Sequence, residues 1–326
     1  MPETVLVTGA TGFIGAALCR ALLDQGHAVR AFRRPTSDPR ALDSMNVSHH
    51  LGDVLSPESL TPAMLGVDWV FHAAAEAAYW RYPDQVIRTA VEGTRNVVRA
   101  ARAAGVVRLV MTSSLAAIGV PARDEWLDEQ HTFNLPPERF PYGYAKHRSE
   151  QEALRTAEGQ PEVVIVNPSA VFGPGDAKPI SGSLVLEVAR GLGLVYFDGG
   201  WNVVHIDDVV AGHLAAARLG RPGERYLLGG ENLTHRETLS IIAQIVGRRP
   251  PWLRLPGWSL SPLASLIDGL RQVMPLPLDG NQLRLSRYHL YCDLSKSRRE
   301  LGLAEPILFH QAVQEFWGWY RLQARP

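Results

Sequence analysis

The side chains best suited to chemistry lie in FPYGYAKHRSE at 140–150. Tyr142 and Lys146 stand four residues apart at the start of a predicted helix, so they share one face. Pro141 fits the first helical position, where its missing N–H costs nothing. An ammonium beside a phenol favours the phenolate and predicts a tyrosine pKa drawn down from about 10 toward neutrality. Such a phenol can pass a proton to or from a substrate oxygen. Tyr144 is two residues from Lys146 and faces elsewhere, which leaves Tyr142 as the acid/base candidate. Further hydroxyls appear upstream, where RLVMTSSLAAIG (108–119) carries an apolar strand pattern into Thr112-Ser113-Ser114. Ligands of open α/β sheets bind outside the carboxyl ends of strands, and hydroxyls there can hydrogen-bond a substrate carbonyl or hydroxyl. Ordinary turn chemistry also places such residues there.

A dinucleotide site is written into residues 4–15, TVLVTGATGFIG. The β-branched run Val5-Leu6-Val7 stops at Thr8-Gly9, Gly12 and Gly15 follow, and Ile14, Leu18, Leu22 and Leu23 then recur as a helical face. Gly9 permits the tight turn, Gly12 lets backbone approach a pyrophosphate, and Gly15 lets helix pack closely on strand. The helix N-terminus offers free N–H groups and a positive dipole end. The candidate cradle is therefore Thr8, Gly9, Thr11, Gly12, Phe13, Ile14 and Gly15. The second strand ends VRAFRRP (29–35), with Arg33 where an NAD enzyme carries an acidic residue for the ribose diol, and Arg34 after it. Paired guanidiniums grip a 2′-phosphate that a carboxylate would repel, so NADP is expected over NAD. The alternative is an arginine that only stacks on adenine.

These groups need a frame. Strand patterns fall at 4–8, 28–32, 47–51, 69–73, 107–112 and 162–167, with helices predicted at 13–25, 57–64, 83–104 and 141–158. Alternation of this kind calls for a parallel sheet with helices on both faces, a doubly wound Rossmann-type α/β fold. The strands are nearly all apolar, as strands buried on both faces should be. Beyond Pro168 the chain becomes rich in Gly and Pro, with a helix near 183–190, a strand at 203–206, a helix N-capped by Asp207, and a strand at 225–228 that rejoins the sheet. A helix at 235–246, a Trp- and Leu-rich region and a closing helix at 309–322 complete a smaller lobe. The expected dinucleotide-binding domain spans 1–172 plus about 203–229, and the substrate lobe about 173–202 plus 230–326.

Composition narrows the function. Thirty-three basic and 33 acidic residues give no electrostatic footprint for nucleic acid. Two distant cysteines, Cys19 and Cys292, form no disulfide framework and fit a reducing cytosol as buried small hydrophobes. No signal peptide precedes the first strand, and the greasiest region, 257–278, is broken by Asp268, Arg271, Pro262 and Pro275, too interrupted to span a bilayer. A cytoplasmic protein is expected. His72, His205 and His213 lie on separate elements, so no metal is expected.

Taken together the motifs resemble the extended short-chain dehydrogenase/reductase family, the NAD-dependent epimerase/dehydratases, over nearly the whole length. They are TGATGFIG (8–15), GDV (52–54), FHAAA (71–75), VEGTRN (91–96), TSSLAAIG (112–119), the Tyr142/Lys146 pair, NPSAVFGPGD (167–176) and VVHIDD (203–208). NPSAVFGPGD, GERYLLGGENLT (223–234) and SKSRRELGL (295–303) point to the dihydroflavonol-reductase-like branch, especially bacterial members called hopanoid-associated sugar epimerases. The resemblance implies that Ser114, five residues before Gly119, orients the substrate oxygen, with Ser113 as the fallback. It implies Tyr142 as general acid/base and Lys146 as the group that binds the nicotinamide ribose and tunes Tyr142. Asp53 and Val54 would flank the adenine, Ala73, Ala74 and Ala75 would line the cofactor floor with Thr112 nearby, and Pro168 and Val171 would approach the nicotinamide. Many relatives carry Asn just before the VEGT segment, where this chain has Ala90. Many relatives also dimerise through two long helices, here 83–104 and 141–158, so a homodimer is implied.

Three functions follow. The first is an NADP-dependent carbonyl reductase or alcohol dehydrogenase acting on a small organic molecule. The second is a sugar-nucleotide epimerase, which needs a diphosphate site; Lys178, Arg248, Arg249 and Arg287 are candidate cations but form no cluster in the sequence. A dehydratase is disfavoured because Leu115-Ala116 stand where an acidic pair is usual. The third is a non-catalytic NADP-sensing relative, which usually loses the tyrosine or lysine that this chain keeps. Tyr79, Trp80, Trp201, Trp252 and Trp258 are candidate walls for a flat or greasy substrate, Trp80 foremost because it follows FHAAA.

Overall fold

The computed structural model describes residues 2–75, 83–122, 125–271 and 280–323. Six strands in its first half, β1 (Thr4–Thr8), β2 (Ala28–Arg33), β3 (Ser48–Leu51), β4 (Trp69–His72), β5 (Arg108–Thr112) and β6 (Glu162–Pro168), pair in parallel. The strand Arg225–Leu228 adds beside β6, so the order across the sheet is Arg225–Leu228, β6, β5, β4, β1, β2, β3. This is the doubly wound dinucleotide-fold order, and it reverses direction between β1 and β4, where a ligand crevice forms. The β1 side chains alternate between the two faces. Val5 and Val7 join Leu18 and Leu22 of the Phe13–Asp24 helix and Val209 and Leu214 of the Ile206–Leu219 helix. Leu6 turns the other way, to Leu60, Met64, Val97, Val98 and Ala153 on helices of the opposite face.

The predicted helix 83–104 is realised with one irregularity. Pro83–Arg88 and Thr94–Ala103 are α-helical, and Thr89–Gly93 between them forms one wide π-turn. Gly93 closes this turn against the sheet edge, where a Cβ would stand 2.8 Å from Val54 Cγ2.

After Pro168 the chain leaves the main sheet. Strands Ala170–Phe172, Gly200–His205, Glu231–Thr234 and His289–Leu290 form a second, mixed sheet, so residues 170–172 and 203–205 belong with the smaller lobe. Helices Gly182–Ala189, His235–Val246 and Phe309–Gln323 pack there around Phe172, Val203, Ile242, Phe309 and Phe316. Asp207 is not the N-cap expected of it. The strand runs to His205, whose Nδ1 accepts the Asp207 N–H at 3.0 Å, and Asp207 sits in the first turn, where its charge still suits the helix dipole. Cys19 and Cys292 are buried thiols, and burial pushes that of Cys19 up to about 12.

Candidate active site

Three strand ends deliver the reactive groups. Thr8 ends β1, His72 ends β4 and Thr112 ends β5, and the Pro141–Ala157 helix crosses below them. Gly9 turns with φ +68°, a conformation that a side chain resists, and a Cβ there would meet the Ala74 backbone at 2.8 Å. A Cβ at Gly15 would overlap the Gly9 carbonyl oxygen. Gly12 is exposed and is the N-cap of the Phe13–Asp24 helix without any side-chain cap, so the first-turn N–H groups keep open positions. Phe13 and Ile14 pack against the core, which leaves backbone as what they present. Thr11 is part-buried in the same turn.

The floor beside this turn is tied to Thr8. Ala73 N–H donates to the Thr8 carbonyl and Ala74 N–H to Thr8 Oγ1. Thr8 Oγ1 also contacts His72 Nδ1 at 2.8 Å, and His72 Nε2 reaches Thr94 Oγ1 at 3.0 Å. Burial, with the Lys146 charge adding to it, drops His72 to about 3, so the imidazole is neutral.

Lys146 is 7% exposed, and its Nζ donates to the Thr112 carbonyl at 2.9 Å. Burial lowers its pKa to about 8, while the Glu150 carboxylate one turn on pulls it upward. Thr112 Oγ1 meets His213 Nε2 at 2.8 Å. His213 Nδ1 faces the Val209 carbonyl at 2.7 Å and must carry the ring proton, so Nε2 accepts from Thr112.

The two serines point in different directions. Ser113 is 4% exposed and donates to the buried Glu150 carboxylate. Ser114 Oγ accepts the Ala116 N–H at 3.2 Å and hydrogen-bonds the Tyr142 phenol. Burial pushes the Tyr142 pKa up, and the Ser114 hydrogen bond only partly offsets it. The expectation of a phenol drawn toward neutrality by Lys146 is therefore corrected: desolvation outweighs the Ser114 hydrogen bond. Tyr144 is turned away, its ring tilted against Phe133 and its hydroxyl accepting from Arg148.

Two cavities meet at Tyr142. A crevice of about 10 Å³, the size of a water, is lined by Tyr142, Lys146, His72, Ala74, Ala75 and Ala90. A larger cavity of about 300 Å³ is lined by Tyr142, Ser114, Ser169, Trp201, Asn202 and Phe133, among others. Arg139 is the one lysine or arginine on its walls among the described residues.

The model of the NAD dependent epimerase/dehydratase family matches residues 5–229. The chain belongs to that family. Over 98% of its length it is 36% identical to a protein named dihydroflavonol 4-reductase in Synechocystis sp., covering 95% of that protein. It is also 36% identical to sterol demethylase protein B of Methylococcus capsulatus, over 98% of both chains. Among solved structures it superimposes on gox2253 with TM-score 0.87 at 36% identity over 99% of both chains. On a nucleoside-diphosphate-sugar epimerase from Pseudomonas aeruginosa the TM-score is 0.83, at 25% identity over 99% of this chain and 98% of that one. The protein is thus an NAD(P)-dependent enzyme of the oxidoreductase type that this epimerase/dehydratase family comprises. The uncapped helix start and the glycine turn fit a dinucleotide pyrophosphate, since a Cβ at Gly9 or Gly15 would collide with the cradle itself.

Asp53 Oδ1 accepts the Leu55 N–H, and Val54 is buried, with its carbonyl accepting from Asn96. Arg33 is half-buried at the end of β2 with Nε 3.4 Å from His49 Nδ1, and Arg34 beside it is exposed. Pro168 ends β6 and Val171 lies two residues past Ser169. Of the candidate aromatic walls among the described residues, Trp201 lines the large cavity and Trp252 and Trp258 do not. Trp252, just before the strand Leu253–Leu255, and Trp258, in the turn Gly257–Ser259, are 71% and 79% exposed. Tyr79 and Trp80 lie outside the described residues. Lys178, Arg248, Arg249 and Arg287 do not line the large cavity. Among the described residues no group of three or more His, Cys, Asp or Glu could hold a metal ion, and no helix is long and apolar enough to cross a membrane.

Glu150, Asn167 and Arg225 escaped sequence reasoning. Glu150 is 1% exposed and ion-paired to Arg225 at 2.8 Å. Asn167 Nδ2 donates both to Glu150 Oε1 at 2.7 Å and to the Ser114 carbonyl at 3.0 Å. A buried carboxylate thus anchors Ser113, Asn167 and the backbone of Ser114. Its one visible signal was the four-residue step from Lys146 to Glu150.

Proposed function

We propose that the protein is an NADP-dependent oxidoreductase that interconverts a carbonyl and a secondary alcohol on an apolar substrate, using Ser114, Tyr142 and Lys146. The observation that carries this is the position of Tyr142, whose side chain borders both the crevice beside the glycine turn and the larger cavity that Ser114 opens into. A bound nicotinamide supplies or accepts the hydride. Ser114 holds the substrate oxygen with its hydroxyl, and Tyr142 gives that oxygen its proton in the reducing direction. A phenol held above its ordinary pKa stays protonated and suits donation. Lys146 contributes its charge near the ribose position and is held in place by the Thr112 carbonyl. Glycine-turn backbone from Thr8, Gly9, Thr11 and Gly12 through Gly15 cradles the pyrophosphate. Asp53, Val54, Ala73, Ala74 and Ala75 bound the adenosine and cofactor floor, with Thr112, Pro168 and Val171 toward the nicotinamide. Arg33 and Arg34 take the 2′-phosphate, which β2 leaves unopposed by any acidic residue at its end.

An apolar carbonyl is favoured over a sugar nucleotide because a diphosphate needs clustered cations, and Arg139 alone serves the larger cavity. The names dihydroflavonol 4-reductase and sterol demethylase protein B fit bulky, largely apolar molecules in such a space. The test is incubation with NADPH or NADH and a panel of aryl and alicyclic ketones, alongside UDP- and dTDP-sugars. Net NADPH oxidation by ketones, with a higher kcat/KM for NADPH than NADH, is expected. Sugar epimerisation without net change in the dinucleotide would overturn the reductase assignment, and preference for NADH would overturn the role given to Arg33 and Arg34.

A further inference from the structure

The Leu260–Arg271 helix is apolar on two opposite sides. Leu260, Ala264 and Ile267 turn inward and are at most 8% exposed. On the outside Trp258, Pro262, Leu266 and Leu270 recur at four-residue intervals as one ridge, with Trp258 79%, Leu266 59% and Leu270 39% exposed. A second apolar face on such a helix is normally covered, by protein or by lipid. The neighbouring strand pair extends the surface. Leu253–Leu255 pairs with Val195–Phe197, Trp252 N–H donates to the Leu194 carbonyl at 3.1 Å, and Trp252 and Leu192 are each 71% exposed. Single exposed hydrophobics are ordinary, whereas exposed large apolar side chains recurring along consecutive elements mark a docking surface.

Charge selects the partner. Residues 247–267 contain Arg248, Arg249 and Arg254 and no carboxylate. Arg254 is satisfied by Asp198, whereas Arg248 donates to the Ala189 carbonyl, and neither it nor Arg249 has a carboxylate partner among the described residues. A second copy docked by this same face would bring another arginine-bearing surface against it, and like charge opposes that pairing. Tryptophan and arginine both settle at the boundary between headgroups and acyl chains, and arginines beside it are drawn to anionic lipid.

We infer that this face docks on the surface of an anionic lipid bilayer, with Trp252, Trp258 and Leu266 at the acyl boundary and Arg248 and Arg249 against the phosphates. The docked face adjoins the substrate cavity. Asn281 and Leu285 line that cavity from the Gly280–Leu285 helix, and Arg284 of the same helix pairs with Asp268 of the ridge helix at 2.8 Å. An apolar substrate held in the bilayer is then one helix away from Tyr142. This consequence rests on the proposed substrate class, while the docking itself does not.

The test is co-sedimentation of the full chain with phosphatidylcholine vesicles prepared with and without phosphatidylglycerol. Binding to the phosphatidylglycerol vesicles, weakened by added salt, is expected. R248S/R249S should lower the partition coefficient roughly tenfold or more. Trp258→Ser with Leu266→Ser should abolish binding while NADPH binding, read by fluorescence, is unchanged and reports an intact fold. Equal, weak sedimentation with both vesicle types would overturn the inference. So would a dimer in sedimentation equilibrium that Trp258→Ser dissolves, since a second copy would then cover the face. Vesicle binding needs no turnover, so failure of the ketone assay leaves this result independent.

Discussion

Ser113 and Ser114 are adjacent and chemically identical, yet the strand end gives them separate fates. Ser113 caps a buried carboxylate, and Ser114 faces the cavity with Tyr142. Ser114→Ala should therefore lower kcat by about 10²-fold or more with little change in melting temperature. Ser113→Ala should do the reverse, costing about 1–2 kcal/mol of stability by stripping a hydrogen bond from Glu150 while kcat stays near wild type. Denaturant unfolding and steady-state kinetics on both variants check this, and a loss of kcat confined to Ser113→Ala would exchange the two roles. Lys146 gives a pH signature. Its pKa is lowered to about 8, so its charge is complete below that pH and lost above it. The Tyr142 phenol is raised and stays protonated through the same range. For carbonyl reduction, kcat/KM should fall as pH rises past about 8, and Glu150→Gln, which removes the carboxylate holding the ammonium up, should move that limb to lower pH. A limb that does not move would detach Glu150 from the lysine.

Among elements, the glycine turn is the most exacting. Its shape depends on contacts between backbone atoms, and no rotamer change can relieve a Cβ at Gly15. Gly15→Ala should weaken dinucleotide affinity severely and lower the melting temperature, whereas Gly105→Ala, outside the site with open space around its Cβ position but a φ of +72°, should lower the melting temperature and leave affinity unchanged. Titration calorimetry with NADPH distinguishes these outcomes. The turn was legible in the sequence because its requirements are local: a β-branched run, glycine spacing and a helical stripe. The strands β1 to β6 and the four helices between them were legible for the same reason, each within two residues of its predicted ends, apart from the π-turn at Thr89–Gly93. That turn places Ala90 in the crevice with Tyr142 and Lys146, and no propensity in TAVEG announces it. Short strands such as Ala170–Phe172 and His289–Leu290 were not legible, because three or two residues carry no periodicity and only their partner strand stabilises them.

At the scale of the molecule, the sheet and the smaller lobe each supply one side of the site. The carboxyl edge of the sheet brings Thr8, His72 and Thr112 together, and the second lobe adds Trp201 and Asn202 opposite Ser114. The buried Glu150 cluster joins residues 37, 17 and 75 positions away in sequence, Ser113, Asn167 and Arg225, which is why no motif exposed it. Breaking it is expected to cost more than a surface pair, about 3 kcal/mol on loss of one charged partner, because the remaining charge stays out of water. The lobes converge on Tyr142, which lines the small crevice on one side and the larger cavity on the other. Removal of its phenolic oxygen is the most direct test. With an apolar ketone that the wild type reduces, Tyr142→Phe should lower kcat by about 10²- to 10⁴-fold while the Kd for NADPH stays within about twofold. Wild-type turnover by Tyr142→Phe, with NADPH bound as tightly as before, would contradict the account.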